Sequence, residues 1–274
     1  MKRLIYLLLL LPLTFNGQNL DEFNGVSLTN LSEVDGVAIA NIAEINGVPV
    51  VTSTLKTDLV SVWELNETTG STADDSYGTN DGYISVSVLK NQSGIIGTSF
   101  YFDDYADIVD VSDNSSFDNS GNFSISQWVY LASNVLGRPF STQDNSGGGT
   151  IWAFQYNAAS EKISFLVRDS DANLQYATPE SSNISTGGWY HIVGVKSGST
   201  VDLFVNGLLS ATVTGSFTGN FNPATNIYIG GYGQGSSEPW SGYVDQTACW
   251  KKALNAIEIG QLYNSGNGLA YTNW

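Results

Sequence analysis

Residues 189–214 leave few folds open to this chain. From Tyr190 to Lys196 the side chains alternate, with His191, Val193 and Val195 on one face and Tyr190, Ile192 and Lys196 on the other. Ser197-Gly198-Ser199 breaks the run, and Val201, Leu203 and Val205 resume the alternation. Asn206-Gly207 follows, the strongest short hairpin signal, because both residues tolerate positive φ. Leu208 to Val213 then returns. Three antiparallel strands with an apolar face must cover that face with a second layer. A β-sandwich is the expectation.

Composition agrees. The 274 residues include 29 glycines and 12% aromatics, with only 13% charged, as suits many short strands joined by turns. The single cysteine, Cys249, excludes an intrachain disulfide. Stability rests on the core, and a chain this long can bury one. Formal charge is −16. Residues 1–17 hold two cations and no acid, so without them 8 basic residues face 26 acidic ones, a balance of −18. Such a surface repels nucleic acid and anionic membranes. It suits calcium, which takes carboxylate and carbonyl oxygens, and equally suits plain solubility.

Met1-Lys2-Arg3 and the apolar run Leu4 to Phe15 read as a secretory signal peptide over residues 1–17. Twelve apolar residues are too few to span a bilayer, which needs about 20. Residues 18–54 carry an 11-residue repeat in three copies. They begin at Asn19, Asn30 and Asn41, each with the pattern Asn-aliphatic-x-Glu-apolar-Asn/Asp-Gly-Val. Asn/Asp-Gly marks a turn in every copy. Three short apolar units cannot bury themselves alone, so the repeats are expected to stack as a stalk or to hold a partner. The other reading is an extended linker, although linkers are usually richer in Pro and Ser.

Further along come Leu59-Val-Ser-Val-Trp63, the loop Asp74 to Gly82, and Gly97-Thr-Ser-Phe-Tyr-Phe-Asp-Asp-Tyr-Ala-Asp-Ile-Val-Asp-Val111. Gly121 to Tyr130 and Trp240 to Leu254 complete the set, and Asn255-Ala-Ile-Glu258 is a capping box that opens one short helix through Tyr263. Together with Trp189 to Gly207, these blocks resemble laminin-G-like domains of the concanavalin-A-like lectin superfamily. The resemblance covers residues 59–266, and the Asp74–Asp81 loop is one residue shorter than the usual pattern. It implies an all-β, antiparallel two-sheet jelly-roll sandwich over residues 55–270 with one short C-terminal helix. It also implies a structural calcium between an N-terminal loop and a late strand, and Asp75, Asp81 and Asp245 occupy those positions.

The chemistry available is sparse. His191 is the lone histidine, so a His-based triad has little to build on, and a buried, hydrogen-bonded role is expected. Cys249 reads as a buried thiol. A glycosidase strand of the form Glu-x-Asp-x-x-Glu begins only at Glu33-Val-Asp35, and no glutamate follows. Trp63, Trp128, Trp189, Trp240 and Trp250 fall on core positions of the family pattern. Sugar recognition needs an exposed aromatic with polar neighbours, which leaves Trp152 and Tyr156 with Arg168 and Tyr176 as the glycan-binding expectation. Trp152, Phe154 and Tyr156 also alternate as core would. The sequence thus points to a secreted, non-catalytic recognition module for carbohydrate or glycoprotein. It would have no membrane span, and an oligomer or anchoring partner would act through 18–54. A structural or adhesive subunit of a surface or virion fibre is the second reading, and a glycoside-active enzyme the third.

Overall fold

The computed structural model describes residues 53–143, 150–223, 226–233 and 238–274, with six two-residue strands ahead of them. Those six form three antiparallel pairs. β1 (Glu22–Phe23) pairs with β2 (Val26–Ser27), β3 (Glu33–Val34) with β4 (Val37–Ala38), and β5 (Glu44–Ile45) with β6 (Val48–Pro49). The expected signal peptide and the stacking of the 18–54 repeats lie outside the described residues. The chain separates into two units, residues 1–57 with 272–274, and residues 58–271.

The second unit is the two-sheet sandwich that the sequence implies. Its first strands are β7 (Leu59–Trp63), β8 (Thr72–Ala73), β9 (Gly82–Ile84), β10 (Leu89–Ser93), β11 (Thr98–Phe102) and β12 (Val109–Val111). β13 (Phe123–Leu131), β14 (Gly137–Gln143), β15 (Thr150–Asn157), β16 (Lys162–Arg168) and β17 (Leu174–Ala177) form the middle. β18 (Trp189–Ser197), β19 (Thr200–Val205), β20 (Leu208–Thr214), β21 (Ile227–Ile229) and β22 (Gly242–Trp250) close it. Among the described residues, sheet one runs β10-β11-β22-β13-β18-β19-β20, with β7 also on β22. Sheet two runs β17-β16-β15-β14-β21-β12-β9-β8.

The hairpin forms as its chemistry dictates. Asn206 (φ 51°) and Gly207 (φ 78°) make the turn, with Val205 opposite Leu208. The face that meets sheet two is not the one that the alternation of 190–196 picks out. Ile192, Gly194 and Lys196 pair with Val205, Leu203 and Val201 and look inward. His191, Val193 and Val195 look outward, beneath other cover. Both faces of β18 are therefore buried, and the polar Lys196 and the bare Gly194 disguise the inner one. Gly194 is required there, because a Cβ would sit 2.5 Å from the Phe165 ring of sheet two. Phe165 in turn packs on Phe154 and Phe123, with centroids 5.2 and 6.4 Å away. Each such ring buried contributes on the order of 2 kcal/mol.

One helix follows the sheets, α1 (Ala256–Tyr263), and the capping box is made in full. The Asn255 side chain accepts from the Ile257 and Glu258 amides, and Glu258 accepts from the Asn255 amide at 2.9 Å. Asn264 ends the helix in the left-handed region at φ 46°.

Candidate recognition surface

Two of the four expected glycan contacts are core. Trp152 is 2% exposed, stacks on Phe140 at 5.4 Å, and donates its indole N–H to the Phe221 carbonyl. Tyr156 is 1% exposed, and its hydroxyl donates to Asn134. Both sit on the inward phase of β15 with Phe154, so the core alternation prevails over the platform reading. Arg168 and Tyr176 lie on the outer face of sheet two, Arg168 opposite Leu174 and Tyr176 opposite Leu166. They are not joined to Trp152 or Tyr156, which point the other way.

The expected calcium ligands do not converge either. Asp75 is spent on backbone: its Oδ1 accepts from the Val62, Tyr77 and Gly78 amides and its Oδ2 from Asn80. Asp81 accepts from the Asp75 amide at 2.9 Å, so these two are neighbours in one turn. Asp245 serves a different turn, its Oδ2 accepting from Ile95 and Ile96 at 2.7 and 2.8 Å. Among the described residues no group of three or more His, Cys, Asp or Glu side chains is arranged to hold a metal. A hard cation wants six or more oxygens; Asp75 and the Asp245 Oδ2 are committed to N–H groups, and the Asp245 Oδ1 is buried without a hydrogen bond.

His191 and Cys249 offer no reactive group. His191 is 1% exposed, with Nε2 2.8 Å from the Ser126 hydroxyl and its ring 5.0 Å from Trp128 and 6.2 Å from Tyr263 of α1. Burial drives its pKa down to about 3, so the ring is neutral. Burial likewise pushes the Cys249 thiol far above its ordinary value, with the Asp75 charge adding to it.

A feature that the sequence reading missed lies on the outer face of sheet one. Tyr101 pairs with Tyr243, Tyr243 with Tyr130, and Tyr130 with Trp189. Four aromatic side chains therefore form one row across β11, β22, β13 and β18. Successive centroids are 4.7, 5.3 and 5.7 Å apart. All four are half-buried. The rings meet tilted or edge-to-face, which suits their quadrupoles. Burial raises the Tyr101 phenol, and the carboxylate of Asp103, exposed two residues along the chain, adds to it. The signal was present in the sequence: Tyr101 and Tyr130 fall between core residues, Phe100 and Phe102, and Val129 and Leu131, and are out of phase with them. Trp189, read as core, is the fourth member.

Sheet two shows a more polar outer row. Register runs Thr72–Tyr83–Asp110–Tyr228–Ser141–Ala153–Leu166–Tyr176 across all eight strands. Asn226 donates to Asp110 at 2.6 Å. Arg138, beside this face, is tied to Glu238 and donates to Thr150, with its guanidinium 4.1 Å from the Tyr232 ring centre.

The comparisons agree with this architecture. A laminin-G-type family model, described as the concanavalin A-like lectin/glucanases superfamily, matches residues 103–260. No curated protein sequence matches the chain. Among solved structures, the binding domain of Paraclostridial Mosquitocidal Protein 1 is similar at TM-score 0.64 and 18% identity, covering 78% of this chain and 53% of that one. Trypanosoma rangeli sialidase in complex with sialic acid gives TM-score 0.63 at 16% identity, over 89% of this chain and 37% of that one. The receptor binding domain of botulinum neurotoxin D gives TM-score 0.57 at 14% identity, over 76% and 53%. The chain thus spans about half the length of two of these structures and little more than a third of the sialidase, and at such identities the likeness is one of fold. Among the described residues no helix is long and apolar enough to cross a membrane. With the family model matched over more than half of its length and both sheets in place, the chain belongs to the concanavalin A-like lectin/glucanases superfamily.

Proposed function

We propose that this is a secreted, non-catalytic carbohydrate-recognition module whose platform is the aromatic row Tyr101–Tyr243–Tyr130–Trp189. The row is the observation that carries the reading. Sugars offer C–H faces that pack on aromatic rings, and their hydroxyls need polar groups at the margin; Asp103 supplies one. A fold stabilised only by its core would gain more by sealing four such rings than by leaving them half open. His191 and Cys249 are both enclosed and held neutral, which supports the non-catalytic reading. The leader expected at residues 1–17 supports export. Trp189→Ala and Tyr130→Ala variants, run on a glycan array beside the native chain, test the reading. Binding lost in both supports it, and an unchanged array profile removes it.

A second reading has its own support. The 11-residue repeats of residues 18–54 carry apolar positions in every copy, which favours an assembly or anchoring role for that segment. Sedimentation of the chain with and without residues 18–54 tests it: the same number of subunits in both would end it.

A further inference from the structure

At the opposite end of β18 from Trp189, a cleft of about 350 Å³ is lined by Lys196, Ser120, Ser199, Ser216, Phe217 and Phe221. Lys196 looks inward, and its side chain is unusual for an inward position. The residue is only 5% exposed, yet it forms no ion pair among the described residues. Its ammonium has three N–H groups. One reaches the Gly121 carbonyl at 3.1 Å. The Phe221 and Phe217 rings lie 4.3 and 5.4 Å from the nitrogen, which is cation–π range.

The acid that acts on it, Asp169, makes no ion pair with it. The Asp169 carboxylate is taken up by five N–H donors, from the backbones of Asp171, Asn173, Thr218 and Gly219 and from the Asn173 side chain. Burial of an ammonium is costly: it pulls the Lys196 pKa below its ordinary value, and the Asp169 charge offsets only part of that. The Ser120, Ser199 and Ser216 hydroxyls hold no hydrogen bond among the described residues and stand exposed around the same opening.

We infer that this cleft is a second ligand site, and that it takes a sugar bearing a single carboxylate, of the uronate or sialate kind. The carboxylate lies against the Lys196 ammonium, the seryl hydroxyls meet the ring hydroxyls, and Phe217 supplies an apolar wall. The acid balance of the whole chain narrows the ligand further. Its field opposes polyanions at long range, but is largely screened beyond ~8 Å at physiological salt. A local cation can therefore hold one carboxylate where a sulfated polymer would be repelled. The choice of a sugar over another small carboxylate rests on the carbohydrate-recognition reading. The site itself is independent of the aromatic row.

Calorimetric titration of the full chain with glucuronate, with glucuronate methyl ester and with N-acetylneuraminate tests the proposal. Both acids are expected to bind, and the ester to bind at least about tenfold more weakly, the size of a lost hydrogen bond to a charged group. Lys196→Met should lose the acids by the same factor and keep its fold, because it removes a buried charge at equal length. Lys196→Arg should retain them. Amide shifts of Gly198, Ser199 and Ser216 in the native chain on adding glucuronate give a reading that needs no variant. Equal affinity for acid and ester, or no shift at those amides, overturns the proposal. Array binding that is lost in Trp189→Ala with no acid response at Lys196 leaves the recognition reading standing and removes this site alone.

Discussion

Two rows of side chains lie next to each other on the outer face of sheet one, and they have opposite fates. In one, Asp245 and His191 flank Trp128 across β22, β13 and β18. Two residues along the same strands, Tyr243 and Trp189 flank Tyr130. The first row is sealed: Asp245 is 0%, His191 1% and Trp128 2% exposed, and Tyr263 of α1 stacks on Trp128 at 5.9 Å. The second is half open and wholly aromatic. The sealed row holds an aspartate and a histidine, and burial disfavours the charged form of both. The open row contains the groups best suited to meeting a ligand. On one sheet face, then, the helix covers one row and leaves bare the row proposed for recognition.

The largest break in that division should come from the sealed row. Trp128→Ala empties the space beneath α1 and should lower unfolding free energy by about 3–5 kcal/mol, as for other large-to-small core changes. Urea denaturation measures it. If the loss were below about 1 kcal/mol, α1 would not be a structural lid.

Next comes pH. His191 titrates near 3 when folded against 6.5 for a free histidine. The unfolded chain therefore binds the extra proton first, and the stability that this group contributes above pH 6.5 is lost as pH falls towards 3. Asp245 runs the other way. Burial raises it from 3.8 to about 7, outweighing the Ile96 and Ile95 amides that lower it. Its contribution is complete below pH 3.8 and is lost as pH rises through 7. Asp245→Asn should gain on the native chain above pH 7 and match it near pH 4. His191→Gln should show a shallower loss between pH 6 and 4, by a few kcal/mol at most. Urea midpoints for the three chains across pH 4–8 check both signs, and parallel curves would show that neither group is held neutral.

The division also marks how far the sequence could be read. The hairpin at Asn206-Gly207, the capping box at Asn255 and the strand alternation were legible, because each depends on contacts within a few residues; which face of β18 turns inward was not. Burial of His191 was legible too. What covers it was not: α1 is some 65 residues away in the chain, and only the register of β13 and β18 brings Trp128 beneath Tyr263. The glycan patch failed for the same reason. Trp152 and Tyr156 share a strand phase with Phe154, which was visible, but whether that phase faces in or out depends on sheet two meeting sheet one. The aromatic row needed four registers at once. Each member shows locally only as an aromatic out of step with its neighbours.

A smaller effect on stability, and a larger one on binding, is expected from the open row. Trp189→Ala and Tyr130→Ala remove half-exposed rings held by edge-to-face contacts worth about 0.5–1.5 kcal/mol each. Their melting midpoints should shift by only a few degrees, while glycan binding drops at least tenfold. Losses as large as that of Trp128→Ala would make the two rows a single structural unit and erase the distinction.

The smallest effect should come from calcium, and it bears on the same division. Asp245 was the late-strand ligand implied by family resemblance, yet it belongs to the sealed row and holds the Ile95 and Ile96 amides. Asp75 is likewise closed by four backbone N–H groups. A cation at Asp75 would have to displace those donors, each worth about 1 kcal/mol or more, and at Asp245 only the enclosed Oδ1 is left without a hydrogen bond. Thermal melts in millimolar calcium and in chelator should therefore share one midpoint. A rise with calcium that survives in Asp245→Asn but vanishes in Asp75→Asn would place a site in the 74–81 turn. A rise that vanishes in Asp245→Asn would mean that the sealed row opens to ions, and that α1 covers it less tightly than the packing of Tyr263 on Trp128 implies.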